Sequence, residues 1–521
     1  GCCRCKCSCV YCCLEYVKKH SCNVKLHNRA KVVKKNENLK NYRPLFTFLF
    51  EFLFLRKILA NFGCSNNRNS IIDYHIFNTM AINRRNFLKT TAMGLAGTLV
   101  LGSCVGNGKG AKKKLKTNPF GEIINVGAIG LGRQCLSVSK GFTKIPNVRI
   151  VGCADVYKDK CTRYVNTINE IYAKKGIASD VTVYESYEAL LANPDIHAVI
   201  IATPDHWHAA IAIAALNAGK DVYLEKPMTF TIYEGQQLIK AVRENGRILQ
   251  VGCQQRSDAA FQHAVKMVQE GKLGKIQRIK AKFGAPPTPY DLPRTKLPEG
   301  LDWDKWLGPL PLYVHYHDDM NPPISLNPVK KEHCWGAWRW YRETGGGFTT
   351  DWGAHMIDIA QWAIGMDGRG PVEVIPAGVD GAEYLTWVYD NGVVMTEEPL
   401  PVSQENGVRF EGELGWIEVT RKQFHTSNPD LMFVREDKGG EYEEAPAHYQ
   451  AFIDSMISRE DPNAPVEVGH STCTACTLGN IAHEVKHAIK WDPDKQVFVD
   501  DDELMNHRLV KYTYREGYTL G

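Results

Sequence analysis

Long apolar runs are absent from this sequence. None reaches the roughly 18 to 20 residues that a membrane-spanning helix requires, so an integral membrane protein is not expected. Acidic residues are scarce at the front, because residues 1–116 contain 22 Lys and Arg against 4 Asp and Glu. The remaining 405 residues hold 41 basic and 54 acidic side chains, so the net charge of +5 hides an acidic body. An acidic body argues against nucleic-acid binding.

The overall composition shows no strong bias. With 44% hydrophobic and 23% charged residues, the chain lies near the globular average, which excludes collagen-like, coiled-coil and wholly disordered proteins. A length of 521 residues predicts two to four domains. Composition and motifs together divide the chain into five segments, which are 1–79, 80–104, 105–120, 121–252 and 253–521.

Cysteine is concentrated at the front of the chain. Of 17 cysteines, nine precede residue 65 and eight precede residue 23. A metal cluster or a disulfide knot is one interpretation, but a zinc site needs a second cysteine pair after a loop, and none follows. We therefore interpret residues 1–79 as upstream sequence that is not a designed domain, with initiation at Met80. A genuine basic leader is the alternative.

A secretory signal is predicted at 80–104. The pair Arg84-Arg85 lies in a twin-arginine pattern, followed by a modestly apolar run at 90–101 and then by small residues. The end of this segment resembles a bacterial lipobox with Cys104 as the acylated residue. The pattern predicts twin-arginine export, a lipoprotein on the periplasmic face and a membrane attachment only through Cys104, with 105–120 as a flexible linker. An amphipathic helix with a chance arginine pair is the alternative.

A dinucleotide-binding motif follows the linker. The apolar run 123–129 predicts a buried parallel strand and ends in Gly130-Leu131-Gly132-Arg133. This is the start of a Rossmann fingerprint, although Cys135 replaces its third glycine. A second predicted strand, 148–154, ends in Asp155, whose carboxylate can accept hydrogen bonds from ribose hydroxyls. The motif predicts NAD as cofactor, with NADP as the alternative, and a helix cap is the alternative role of Asp155.

Strands and helices alternate through 121–252. Further strands are predicted at 181–184, 198–202, 222–224 and 248–251, with helices between them, which indicates a doubly wound parallel sheet. Ligands of such sheets bind at the carboxyl ends of the strands. Unusual residues stand at two of those ends, and we expect them to face the nicotinamide. They are Thr203, Pro204 and His208 after one strand, and Glu225 and Lys226 after the next.

Aromatic residues are concentrated just before a triple glycine at 345–347. Aromatic faces pack on the C–H faces of sugars, and Arg339 and Trp340 are therefore candidate substrate-binding residues in the run from Trp335 to Tyr341. An aromatic core cluster is the alternative. The glycines lack the Lys-Ser/Thr of a phosphate loop, so we expect tight backbone packing near the substrate. The pair Cys473 and Cys476 is interpreted as buried small residues, with a redox pair as the alternative.

Several of these motifs, in their order, resemble the glucose-fructose oxidoreductase / inositol dehydrogenase / MocA family. They are I-G-L-G at 129–132, T-P-D-H-W-H-A at 203–209, A-G-K-D-V-Y-L-E-K-P at 218–227, V-G-C-Q-Q-R-S at 251–257 and G-G-G-F-T-T-D-W-G-A-H-M-I-D at 345–358. The resemblance covers residues 121–521 and is greatest to exported members with twin-arginine leaders. It implies an α/β fold, with a Rossmann domain followed by an α/β domain with a large open antiparallel sheet. That sheet often forms the interface of a dimer or tetramer, so a homo-oligomer is expected. The last helices are expected to pack back on the Rossmann domain.

The resemblance also implies roles for single residues. Lys226 matches the lysine of E-K-P between substrate and nicotinamide, and Asp351 and His355 match the D-x-x-x-H pair, with His355 or Lys226 taking the hydroxyl proton. Their i, i+4 spacing would place Asp351 and His355 on one helix face. Arg256 matches the Q-R-S segment and is expected in the substrate cleft. No metal is expected, although Asp358 with Asp351 and His355 would be the ligands of the alternative, joined by His206 and His208.

Three functions remain open from the sequence. The first is an NAD(P)-dependent dehydrogenase that acts on CH–OH groups of a small-molecule sugar, glycoside or cyclitol. The second is a redox-neutral glycoside-cleaving enzyme that uses tightly bound NAD transiently, and export favours it because a soluble NAD pool is not evident outside the cytoplasm. The third is a lipid-anchored sugar-binding module, which predicts loss of the catalytic residues. None of them is lost.

Overall fold

The computed structural model of the protein describes residues 118–434 and 446–520. The segment 1–79, the signal at 80–104 and most of the linker lie outside the described residues. No helix in the described part is long and apolar enough to cross a membrane.

The first domain contains a six-stranded parallel sheet in the order β3-β2-β1-β4-β5-β6, with helices between the strands. Its inner strands are mostly apolar because both faces of the sheet are covered there, whereas the edge strand β3 is exposed. The predicted doubly wound sheet is therefore confirmed. The strands are β1 (Ile124–Ile129), β2 (Val148–Ala154), β3 (Thr182–Val183), β4 (Ala198–Ile201), β5 (Asp221–Leu224) and β6 (Leu249–Val251). The helices are α1 (Arg133–Phe142), α2 (Lys158–Lys174), α3 (Tyr187–Leu191), α4 (Asp205–Asn217) and α5 (Ile232–Asn245).

The second domain contains a nine-stranded sheet in the order β15-β14-β13-β7-β12-β11-β10-β16-β17. Its strands pair antiparallel except β7 and β12, which pair parallel, so the sheet is mixed where an antiparallel one was expected. A separate hairpin joins β8 to β9. The strands are β7 (Ile276–Lys282), β8 (Ser325–Leu326), β9 (Val329–Lys330), β10 (Glu373–Ile375), β11 (Thr386–Val388), β12 (Val394–Glu397), β13 (Gly407–Gly412), β14 (Gly415–Thr420), β15 (Phe424–Thr426), β16 (Ile489–Asp492) and β17 (Val497–Phe498).

Six helices accompany this sheet. They are α6 (Ala259–Gln269), α7 (Trp303–Leu307), α8 (Gly347–Asp351), α9 (Gly353–Ala363), α10 (Pro446–Ser458) and α11 (Val466–Val485). Helix α11 packs against α9 and also against α5 of the first domain, while α10 packs against α1. Cys473 and Cys476 are both buried on α11, where the Sγ of Cys473 accepts a hydrogen bond from the N–H of Met228. The contacts of α10 and α11 hold the carboxyl edge of the parallel sheet beside the second domain.

Candidate functional site

A cavity of about 260 Å³ opens at the carboxyl edge of the parallel sheet. The turn after β1 forms one wall, and Gly130 there has φ +81° with a Cβ position only 2.6 Å from the backbone nitrogen of Thr203. A Cβ on Gly132 would meet nothing within 4 Å, so this residue leaves the space open. Gly132 also caps α1, whose first turn contains no acidic residue and has no side-chain cap. An anionic group such as a phosphate would be favoured at this helix start.

Asp155 lies at the end of β2 on the wall of the same cavity. Its carboxylate accepts hydrogen bonds from the N–H of Leu131 at 2.6 Å and of Tyr157 at 2.8 Å. Burial raises the pKa of Asp155, and the charge of Lys160 and the two N–H donors oppose this shift. Carboxylate oxygens keep further lone pairs, so Asp155 can still accept bonds from ribose hydroxyls. The cavity residues thus fit a dinucleotide.

The segment after β4 lines the cavity and continues into a second cleft. Thr203 faces both spaces, and Pro204 caps α4 on the wall of the first. His208 lies deeper, with Nδ1 2.7 Å from the carbonyl oxygen of Pro227 and Nε2 2.9 Å from that of Thr203. Burial lowers the pKa of His208 to about 4, so the neutral ring donates to one of these carbonyls. His208 therefore joins the ends of β4 and β5 while it lines the second cleft, and its contact with the cofactor stays a prediction.

The second cleft encloses about 1000 Å³ beside the first cavity. Lys226, directly after β5, donates from Nζ to the carbonyl oxygen of Asp351 at 2.7 Å and to its Oδ1 at 2.8 Å. The Nε of Arg339 lies 3.5 Å from the same Oδ1. Burial alone would raise the pKa of Asp351, but the charges of Lys226 and Arg339 together lower it below its ordinary value. The cleft thus contains an ionised carboxylate held by two cations.

His355 lines this cleft from the first turn of α9. Burial, followed by the charges of Lys226 and Arg421, holds the pKa of His355 well below its ordinary value. Its Nδ1 has no hydrogen-bond partner. That nitrogen is buried, but a neutral imidazole that lines a cleft is able to accept a proton. The structure differs from the expected single helix, because α8 ends at Asp351 and α9 begins at Gly353, yet both side chains line the same cleft.

Arg256 does not line the cleft, which corrects its prediction as a substrate-binding residue. Its guanidinium is buried, binds Asp358 at 2.8 Å and Asp367 at 2.7 Å, and lies 5.0 Å from the ring centroid of Trp362. Two carboxylates and an aromatic face thus compensate the positive charge of Arg256 inside the second domain. Asp358, a ligand in the alternative metal site, is therefore committed to Arg256.

The aromatic run divides between the cleft and the core. Trp340 lines the cleft and stacks on Phe348, with ring centroids 4.1 Å apart. Trp338 is buried, and the guanidinium of Arg339 lies 4.3 Å from its ring centroid. The ring of Trp335 is exposed and lines both spaces. Trp338 also lines both spaces, so both interpretations of the run apply to this residue at once.

The triple glycine packs tightly against neighbouring backbone. A Cβ on Gly345 would lie 2.7 Å from the carbonyl oxygen of Arg339, and one on Gly347 would lie 2.4 Å from the nitrogen of Pro287. Gly347 also has φ +67°. These contacts place the start of α8, and so Asp351 at its end, beside the segment that carries Arg339.

Two further predicted residues, Glu225 and Arg133, line these spaces. Glu225 accepts hydrogen bonds from the side chains of Gln134 and Gln254 in the second cleft. Arg133 lies on the first cavity with its guanidinium 4.5 Å from the ring centroid of Trp335. Arg421 was not singled out from the sequence. Its guanidinium lies over the ring of Trp352 in the second cleft, 4.5 Å from the ring centroid. Nothing in the local sequence of the turn between β14 and β15 indicates this role.

Two family models match the chain. The model of the oxidoreductase family with an NAD-binding Rossmann fold matches residues 124–253, and the model of its C-terminal alpha/beta domain matches residues 287–520. Together they cover well over half of the chain.

Curated relatives are similar over part of their length. A levoglucosan dehydrogenase of Pseudarthrobacter phenanthrenivorans is 29% identical over 254 residues, which are 46% of this chain and 54% of the relative. A scyllo-inositol 2-dehydrogenase (NAD(+)) of Bacillus subtilis is 30% identical over 171 residues, 32% of this chain and 47% of the relative. A glycosyl hydrolase family 109 protein of Shewanella pealeana is 26% identical over 219 residues, 39% of this chain and 46% of the relative. The chain thus matches about half the length of these proteins.

The fold also occurs in solved structures. An oxidoreductase domain protein from Kribbella flavida aligns with TM-score 0.50 at 18% identity, over 71% of this chain and 99% of that one. GenD2 from gentamicin A biosynthesis, solved with NAD, aligns with TM-score 0.50 at 16% identity, over 75% of this chain and 100% of that one. At this identity the likeness concerns the fold alone. The family models, the fold and the glycine turn at the cavity agree that this chain belongs to the Gfo/Idh/MocA oxidoreductase family and begins, in its described part, with an NAD-binding Rossmann domain.

Proposed function

We propose that this protein is a dehydrogenase that oxidises a CH–OH group of a sugar, glycoside or cyclitol with NAD, or with NADP as the alternative cofactor. The observation that carries the proposal is the contact of Lys226 with Asp351 in a cleft that adjoins the glycine-lined cavity and also contains the neutral His355. The named dehydrogenases among the relatives act on molecules of this class.

Each catalytic side chain has a separate task in this proposal. Bound NAD supplies the acceptor for a hydride. The Lys226 ammonium is held by two oxygens of Asp351 and keeps a third N–H for the substrate hydroxyl. His355 accepts the hydroxyl proton, because its imidazole is neutral and lines the cleft. Trp340 and Arg339 bind the ring faces and hydroxyls.

A second function is favoured by the relative named as a glycosyl hydrolase family 109 protein. In that reaction a sugar would be oxidised, its aglycone eliminated and the ring reduced again, with no net consumption of NAD. The same cleft residues would move the same protons. The two functions differ in whether reduced nicotinamide accumulates or an aglycone is released.

The test uses the purified protein and three variants. Released nucleotide is identified by mass after denaturation, and turnover is followed with sugars and cyclitols as reduced nicotinamide and with aryl glycosides as released aglycone. We expect Lys226→Met and His355→Asn to lower kcat by about 10²- to 10⁴-fold in whichever assay is positive. His487→Asn, which changes an exposed ring, is the control and should match the wild type. Wild-type rates in both cleft variants would contradict the proposal.

We further propose that the protein is exported by the twin-arginine route and attached to the periplasmic face of a membrane through Cys104, and that it forms a homo-oligomer. The support is the order of the arginine pair, apolar run and lipobox-like end in the sequence. Cell fractionation of wild type and Cys104→Ala tests the anchor, since the variant should leave the membrane fraction. Light scattering of the purified protein tests the oligomer.

A further inference from the structure

Three side chains with different metal-binding atoms come together outside the second cleft. Oδ1 of Asp319 lies 3.0 Å from Nε2 of His333 and 3.9 Å from Sγ of Cys334, and the three atoms all lie within 4.8 Å of one another. Asp319 and Cys334 are partly buried, and His333 is exposed. Among residues 118–434 and 446–520, no other group of three such side chains comes this close.

The separations are close to those of a four-coordinate ion. Zinc bonds of about 2.0 to 2.3 Å at tetrahedral angles place ligand atoms about 3.3 to 3.8 Å apart. The contacts of Asp319, at 3.0 and 3.9 Å, lie near this range, and the third pair of ligand atoms lies within 4.8 Å. Three protein ligands leave a fourth position for water, as in many zinc sites.

The backbone holds both ligand segments in place. The N–H of Asp319 donates to Nδ1 of His317 at 3.0 Å, which fixes the turn that presents the carboxylate. The N–H of Ala337 donates to the carbonyl oxygen of Asp319 at 2.6 Å. The turn and the segment that carries His333 and Cys334 are therefore already joined without an ion.

The ligand types select the ion. Mg²⁺ and Ca²⁺ take all-oxygen sites, whereas a thiolate, an imidazole and a carboxylate together suit Zn²⁺ or a similar transition metal. We propose that Asp319, His333 and Cys334 bind a Zn²⁺-class divalent ion.

The position of this site connects it to nucleotide binding. Glu332, Cys334 and Trp335 line the first cavity, whose residues fit a dinucleotide. The carboxylate of Glu332 binds the guanidinium of Arg163 on α2. An ion bound by Asp319, His333 and Cys334 adds a second link between this cavity wall and the turn, beside the backbone hydrogen bond of Ala337. Bound Zn²⁺ therefore tightens the binding of NAD.

The test compares variants of the whole chain after treatment with a chelator. Because the eight cysteines before residue 23 can themselves bind Zn²⁺, the measured quantity is the difference between proteins that all retain them. Calorimetry with Zn²⁺ should find one ion fewer per chain in Cys334→Ser and in His333→Ala than in the wild type and in the control His487→Ala. NAD titrations with and without Zn²⁺ should show tighter binding with the ion in the wild type and the control only.

Two results would overturn the proposal. One is an equal number of bound ions in all four proteins, and the other is a Zn²⁺ effect on NAD affinity that persists in His333→Ala. Since His333 is exposed, this variant should retain the fold even where Cys334→Ser does not, and circular dichroism checks both.

Discussion

At the scale of single residues, Asp205 is a buried carboxyl group near Lys226 and Asp351. It lines the second cleft at the first position of α4, and burial raises its pKa to about 8 despite the charge of Arg339. In the unfolded chain the same group ionises near the usual Asp value of about 3.9. Between these two values the folded protein holds a proton that the unfolded chain has lost, so this residue makes the fold less stable as the pH rises.

The variant Asp205→Asn removes this dependence. The amide cannot ionise. We therefore expect the difference in free energy of unfolding, variant minus wild type, to rise with pH by up to about 1.4 kcal/mol per pH unit between the two pKa values. Urea unfolding at several pH values across this window measures the difference. Asp454→Asn, which changes an exposed carboxylate on α10, is the control and should follow the wild type. A constant difference between Asp205→Asn and wild type at all pH values would show that Asp205 is ionised in the fold.

Arg256 shows where prediction from the sequence fails at this scale. Its segment resembles a cleft segment, but the guanidinium turns to Asp358 and Asp367, which lie more than a hundred residues away. By contrast, Lys226, Asp351 and His355 could be foreseen as neighbours through whole motifs whose spacing the resemblance supplied. A lone arginine carries no local signal for which carboxylate it will meet.

At the scale of elements, α8 positions Asp351 through a tight start at Gly347. The positive φ of this glycine and the 2.4 Å approach of a Cβ to Pro287 together exclude a side chain. We expect Gly347→Ala to lower the free energy of unfolding by about 2 to 3 kcal/mol and to raise KM, because α8 must shift. Denaturant unfolding and steady-state kinetics measure these effects.

A matched glycine separates steric contact from backbone strain. Gly365 has φ +73°, similar to that of Gly347, but a Cβ there meets nothing within 4 Å. Gly365→Ala should therefore cost only the strain of a left-handed residue, about 1 kcal/mol, and leave KM unchanged. Equal losses of stability in both variants would show that the contact with Pro287 is relieved without cost.

The two sheets differ in how far the sequence predicts them. Strands such as β1 and β4 are buried on both faces, so continuous apolar runs locate them to within a residue or two. In the second domain, β10 and β11 are only three residues long, and β12 pairs in parallel with the distant β7. Strands this short show no clear alternation of apolar and polar residues, and their partners are set by packing across the domain.

At the scale of the whole molecule, a buried ion pair connects the nucleotide-binding domain to the second domain. The guanidinium of Arg163 on α2 binds Glu332 at 2.6 Å and also donates to the carbonyl oxygen of Leu131 in the glycine turn. Both side chains are almost fully buried. Breaking a buried pair so that one charge has no partner typically costs about 3 to 5 kcal/mol. Here Nζ of Lys160 lies 3.9 Å from Glu332 and would still compensate part of its charge, so a smaller loss is expected.

We therefore expect Arg163→Met to lower the free energy of unfolding by up to about 3 kcal/mol and to weaken NAD binding, since the cavity wall loses its closest attachment to α2. Replacing both charges restores apolar packing, so the double variant Arg163→Met with Glu332→Met should recover most of the stability. It should not recover NAD affinity to the same degree, because the donor to the Leu131 carbonyl is still absent. Urea unfolding and NAD titration of the single and double variants measure both quantities. If the double variant were as unstable as the single one, the loss would come from packing around Arg163 and not from the charge of Glu332.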